Sequence, residues 1–265
     1  KQKNTVRKAP TAVRAVRLRK NVSLTDKNKR CDMKELKHLI YFESLLEDAN
    51  NELVRQAQAE GKLAIGYTCF HAPEVLLNLG ACFSVRLRAP HTNSMELATY
   101  YMANNSCEYA RALLERSLEG NYAFLHGMAG VDVCEANNRA MENMEIMHVQ
   151  GGDKDKFFWC NLDVPYSDDE DCVEHTVEQV SRKILKPMHE NYGVDISDAA
   201  IRAAVAEQNE ISRIITELGA FRKLDNPPIT GYEFAVLVLV TYVCPKYLIL
   251  SLIHISEPTR QAEIS

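Results

Sequence analysis

No GxGxxG loop, Walker-type phosphate loop or GxSxG elbow occurs in the 265 residues, so a nucleotide site or a serine hydrolase has no support. A CxxC pair is missing too. Eight cysteines stand at positions 31, 69, 82, 107, 134, 160, 172 and 244, without the regular spacing of a disulfide scaffold and with no signal peptide ahead of them. That usage fits a reducing, cytoplasmic setting. No apolar run reaches the roughly 20 residues that span a bilayer. The most hydrophobic stretch, FAVLVLVTYVCPKYLILSLIHI, is interrupted at Thr241, Pro245 and Lys246 and reads as a buried helix, or helix plus strand.

What is present suits a globular protein: 46% of the residues are hydrophobic, enough for one large core or two modest ones. The net charge of −5 hides two regions of opposite sign. Residues 1–30 carry eleven Lys or Arg against the single acid Asp26, which leaves the remaining 235 residues at −15. An acidic body repels phosphate backbones, so no nucleic-acid partner is expected of the folded part. Residues 1–32 read as a basic, disordered head or as translated upstream sequence before Met33.

Hydrophobic spacing organises the rest. Leu36, Leu39, Ile40 and Leu46 mark one helical face, which predicts an N-terminal helix over 33–60. Strand-like runs then alternate with helical ones: LAIGY (63–67), Cys82–Leu87, YAFLH (122–126) and KFFWCNLDVP (156–165), with helices from Pro73, over Met95–Met102, over Ala110–Leu118 and from Cys134. The expected fold class is α/β, a mainly parallel sheet flanked by helices over residues 61–166. From 167 to 250 the pattern is helical. Val173, Val177, Val180 and Ile184 form a stripe, Ser197 is placed to cap a helix, and Thr230 with Glu233 has capping-box spacing. This region reads as a helical connector toward a second α/β domain that the chain lacks. Residues 251–265 resemble translated adapter read-through and are taken as a non-native tail.

Cys69, Cys107 and Cys134 each follow a strand or open a helix, the side of a parallel sheet on which ligands bind. Helix N-termini favour thiolate, and thiolates hold iron-sulfur clusters. Two other readings stand open at this level: reduced buried thiols, and a zinc site of Cys69, His71, Cys107 and Cys134. Glu74, at the start of a helical turn, suits a cap as well as a catalyst. Cys31, Cys82, Cys160, Cys172 and Cys244 are taken as structural, and His126 as a satisfied polar residue at a strand end.

The segments IGYTCFHAPEVLLNLGACFSVRL, CEYARALLERSLEGNYAFLHGMAGVDVCEANNR, FFWCNLDVP and ITGYEF together resemble one subunit, D-component-like, of the 2-hydroxyacyl-CoA dehydratase and benzoyl-CoA reductase family. The resemblance implies two α/β domains with a 4Fe-4S cluster in the cleft between them. Cys107 and Cys134 would be cluster ligands, with Cys69 at the cleft as a third. It also implies an acyl-CoA substrate, a paralogous second subunit, a separate ATP-dependent activator protein and no membrane. The chemistry would be one-electron: an electron added to the thioester carbonyl makes a ketyl radical anion, which expels the neighbouring hydroxide and acidifies the β-hydrogen. The pattern departs from the family at His71, where an aromatic is usual. It departs again at Glu74, one residue ahead of the usual carboxylate position, where this chain has Val75. A third departure is His126, read as replacing an aspartate after the third strand. His71 and Glu74 are the candidate catalytic side chains. A non-catalytic paralogue and a zinc-stabilised structural domain remain the alternatives.

Overall fold

A computed structural model describes residues 38–147 and 153–252, and every element below belongs to the compact unit Leu39–Ser265. Four strands form one all-parallel sheet: β1 (Leu63–Tyr67), β2 (Cys82–Arg86), β3 (Gly127–Asp132) and β4 (Phe158–Asp163), in the order β2-β1-β3-β4. β1 is buried along most of its length because both faces of the sheet are covered. On one face, Ala64, Phe83, Val85 and Met128 pack against α1 (Glu52–Ala59), α3 (Glu108–Leu118) and α4 (Glu135–Met147) through Val54, Ala57, Leu113, Leu114 and Met144. On the other, Ile65, Tyr67, Ala129, Val131 and Leu162 meet Ile184, Met188 and Ala204. These come from the segment containing α5 (Glu170–Val180), a π turn (Ser181–Leu185), α6 (Lys186–Tyr192) and α7 (Asp198–Ala220). A third cluster joins Phe42, Leu45, Leu53 and Ile214 to Val236 and Val240 of α8 (Gly231–Val243).

The fold class is the expected one, and so are the caps. Thr230 Oγ1 accepts from Glu233 N at 3.2 Å while Glu233 Oε2 accepts from Thr230 N at 2.7 Å. Ser197 Oγ accepts from Ala200 N at 3.3 Å. Among the described residues no helix is long and apolar enough to cross a membrane.

Several boundaries differ. The third strand is Gly127–Asp132, whereas residues 122–125 form a turn whose Tyr122 hydroxyl donates to Arg88 O at 2.9 Å. Glycine suits this strand poorly by propensity but is required by packing: a Cβ at Gly127 would meet the Phe158 ring at 2.3 Å. His126 precedes the strand, donating its N–H to Ala64 O at 2.8 Å and accepting from Ala64 N at Nδ1 at 3.2 Å. It is satisfied, as expected. The strand itself ends in Asp132, so the aspartate replacement assigned to His126 falls away.

The helix expected over 33–60 is broken at 45–51, because Asn51 turns its side chain back to accept from Leu53 N and Val54 N, both at 3.1 Å, and starts α1 afresh. The helix expected over Met95–Met102 contracts to α2 (Glu96–Thr99), held from outside by Glu115, whose carboxylate accepts from Ala98 N at 2.7 Å. Of the valine stripe, Val173 and Val177 are 55% and 62% exposed; the π turn rotates the following residues so that Ile184 is buried. The helices read as a connector therefore cover one face of the sheet. The basic head lies outside the described residues, as does the tail beyond Leu252; a helix over 246–252 runs into the start of that tail.

Candidate functional site

From β1 the chain steps outward to β2, then returns to the other side of β1 for β3 and β4. The crevice at the carboxyl ends of β1 and β3 is therefore the place where strand order reverses, the usual ligand position in an open parallel sheet. Cys69 follows β1 by two residues and Cys134 follows β3 by two. Their segments are stapled: Asn137 Nδ2, in the first turn of α4, donates to Thr68 Oγ1 at 3.0 Å. Cys134 O accepts the first helical bond of α4, from Asn138 N at 2.9 Å. Cys107 is the N-cap of α3, and two residues on, Tyr109 donates its hydroxyl to Leu87 O, just past β2, at 2.9 Å. Burial pushes the Tyr109 hydroxyl pKa up; Arg86 and Arg88 oppose that, and the Cys69 and Cys107 thiols add to it. Tyr109 therefore lies within electrostatic reach of two guanidiniums and two thiols.

The cysteines fall into two sorts. Cys69 is half-buried, and Cys107 and Cys134 are exposed; no disulfide joins any of the described cysteines. Cys82, Cys160 and Cys244 are interior, and burial pushes each thiol up to about 12, which keeps them protonated and inert. Cys172 is also raised, chiefly by its hydrogen bond with Asp169. His71 is exposed on the turn that Ala72 N closes onto Cys69 O at 3.1 Å. Glu74 behaves differently. Its carboxylate turns inward, to Lys246 Nζ at 2.6 Å and Ser84 Oγ at 3.2 Å, with only 12% of the Glu74 side chain and 2% of that of Lys246 exposed. The Tyr67 hydroxyl lies close enough for the Glu74 anion to raise its pKa, after burial, yet makes no hydrogen bond of regular geometry. Topology thus collects Cys69, His71, Cys107 and Cys134 at one sheet edge and commits Glu74 to an interior ion pair.

The 2-hydroxyglutaryl-CoA dehydratase D-component family model matches residues 69–257, well over half of the chain, beginning at Cys69 and taking in both other edge thiols. The chain belongs to this family. A relative at lower similarity is the (R)-phenyllactyl-CoA dehydratase beta subunit of Clostridium sporogenes, 25% identical over 105 residues that make up 40% of this chain and 28% of the relative. The chain therefore spans less than a third of that relative's length.

For a D-component chain the question is whether its residues suit a thiolate-bound cluster. In donor type they do: the three thiols are free, none is sealed in the interior, and they stand on the carboxyl side of the sheet, Cys69 and Cys134 after β1 and β3 and Cys107 at the start of α3. In closure they fall short, since among the described residues no three His, Cys, Asp or Glu side chains gather tightly enough to hold a metal ion. Sequence reasoning missed Thr68, Asn137, Tyr109, Arg86 and Arg88. The run GVDVCEANN carried a signal, because Asp132 and Asn138 flank Cys134 and bond to one another across the turn.

Proposed function

We propose that this chain is a subunit of a 2-hydroxyacyl-CoA dehydratase in which Cys69, Cys107 and Cys134 hold a 4Fe-4S cluster at the carboxyl edge of the sheet. The supporting observation is that Cys69 and Cys134 follow the two strands of the topological switch point and Cys107 opens the helix that returns from β2, all on the carboxyl side of the parallel sheet, while Cys82, Cys160 and Cys244 are sealed in the interior. Such a cluster supplies single electrons and a Lewis-acid position, the two things needed to eliminate water from a thioester whose β-proton is barely acidic.

The chain's own residues then orient and exclude water. The Thr68–Asn137 bond fixes the Cys69 turn against the start of α4, and the Phe70 ring, stacked 3.6 Å under the Arg86 guanidinium, walls that turn on one side. His71, exposed at the rim, is placed to exchange a proton with a thioester lying along the edge. Glu74 acts as a positioning residue, because the ion pair to Lys246 ties the end of the Cys69 turn to the helix over 246–252. The free thiols agree with a reducing cytoplasm. The partners are an acyl-CoA, a paralogous second subunit and an ATP-dependent activator.

The inward Glu74 favours one second reading, in which this subunit relays electrons and its paralogue holds substrate. The experiment is anaerobic purification with the paralogous subunit, followed by addition of activator, ATP and a 2-hydroxyacyl-CoA. Brown protein that forms the enoyl-CoA supports the proposal; a colourless zinc protein without turnover refutes it.

A further inference from the structure

The carboxyl end of β2 carries positive charge that the fold leaves uncancelled. Elsewhere Arg55, Arg116, Arg139 and Arg213 each pair with a carboxylate. Arg86 closes β2 and Arg88 follows it by one strand period; among the described residues neither has an acid within ion-pair distance. Arg88 is half-buried, with Nη1 donating to Leu46 O at 3.0 Å and its other donors without a partner among the described residues. Burial, and then the nearby Arg86 charge, hold its guanidinium below the usual arginine range, so the site favours a compensating anion.

A cavity of about 410 Å³ opens beside this guanidinium, lined by Arg88, Pro90, Thr92, Met95, Glu108 and Tyr109. Its size is that of a small-molecule site. The wall is a held turn: His91 sits in the left-handed region at φ 57, rare for a residue with a side chain, and Thr92 Oγ1 donates to Ala89 O at 3.0 Å. Pro90 and Met95 offer apolar surface to a carbon chain. Tyr109 lines the cavity and also lies within electrostatic reach of the Cys69 and Cys107 thiols.

We propose that this cavity binds an oxyanion of the substrate, a carboxylate or a phosphate, through Arg88 with Arg86 reinforcing the field. Arginine suits either group, since its planar fork meets two oxygens at once. The site deepens the acyl-CoA reading and rests on it for the source of the anion, which is either a carboxylate ending the acyl chain or a phosphate of the CoA.

Titration calorimetry on the full chain at low salt, with glutarate, free CoA, butyryl-CoA and glutaryl-CoA, tests it. Arg88→Met weakens the anion-dependent binding about tenfold or more, the scale of one charge-assisted bond. Glu108→Gln, which removes an exposed acid from the wall, tightens it by about twofold to threefold, and decides the matter should Arg88→Met not fold. If glutaryl-CoA binds about tenfold tighter than butyryl-CoA only while Arg88 is present, the oxyanion is the acyl carboxylate. If both thioesters and free CoA lose the same factor, it is a CoA phosphate. Binding that is unchanged by both variants, or no binding of any probe, overturns the site. Iron content read on the same Arg88 and Glu108 variants stays at the parent level, so iron retained in the cysteine variants, or missing from the parent, with anion binding intact counts against the cluster and leaves the oxyanion site standing.

Discussion

Replacing Lys246 by Met should be among the most damaging single changes in the chain. Its ammonium is 2% exposed and bonds Glu74 Oε1 at 2.6 Å and Thr241 O at 3.2 Å, so the variant strands a carboxylate that is itself only 12% exposed. Breaking a buried pair from one side costs about 3–5 kcal/mol. With a urea dependence of about 3 kcal/mol per M, the unfolding midpoint falls by roughly 1–1.7 M. The second variant carries the argument. Glu74→Leu combined with Lys246→Met removes both charges, and Ser84 Oγ keeps its bond from Asn78 Nδ2 at 3.0 Å, so much of the loss returns. Circular dichroism along a urea series measures this. A loss under about 1 kcal/mol for Lys246→Met, or strict additivity in the double variant, would refute a structural ion pair at Glu74.

Gly127→Ala drives a methyl group to 2.3 Å from the Phe158 ring, so it should cost about 1–3 kcal/mol and lower the thermal midpoint by several degrees with the far-ultraviolet spectrum kept. Burial holds His126 below its ordinary pKa, and its Nδ1 accepts from Ala64 N, so the folded state resists a proton that the unfolded chain takes up near pH 6.5. Stability is therefore complete above that pH and falls below it, levelling off beneath the lowered native value; His126→Gln should flatten this slope in denaturant titrations from pH 7 to 5. On the valine stripe, Val173→Ser and Val177→Ser should each stay within about 0.5 kcal/mol, whereas Ile184→Ala should cost about 2–5 kcal/mol, because only Ile184 is buried.

The sheet was readable because β1, β2 and β4 are runs of β-branched, aromatic and aliphatic residues bounded by turns. β3 was displaced by five residues for a physical reason. Its sequence, GMAGVD, looks like a loop until Phe158 is known to fill the space above Gly127, and that pairing is tertiary. The preceding YAFLH looks like a strand because Tyr122 and Leu125 are apolar, yet both are buried from within a turn. The same limit hid the role of Glu74: its partner lies 172 residues along the chain, beyond any spacing rule. The thiol edge was legible because parallel topology alone sends the start of every following helix to one side. Arg86 and Arg88 went unread, since the absence of a counter-ion is visible only in three dimensions.

Anaerobic reconstitution of the full chain with iron and sulfide, read by iron content and visible absorbance, tests the central claim that thiols gathered at this crevice hold an inorganic centre. Cys107→Ala and Cys134→Ala should each lose the colour and the iron, and Cys160→Ala, altered within the core, should keep both. Equal retention in all three variants, or equal loss from all three, would contradict it.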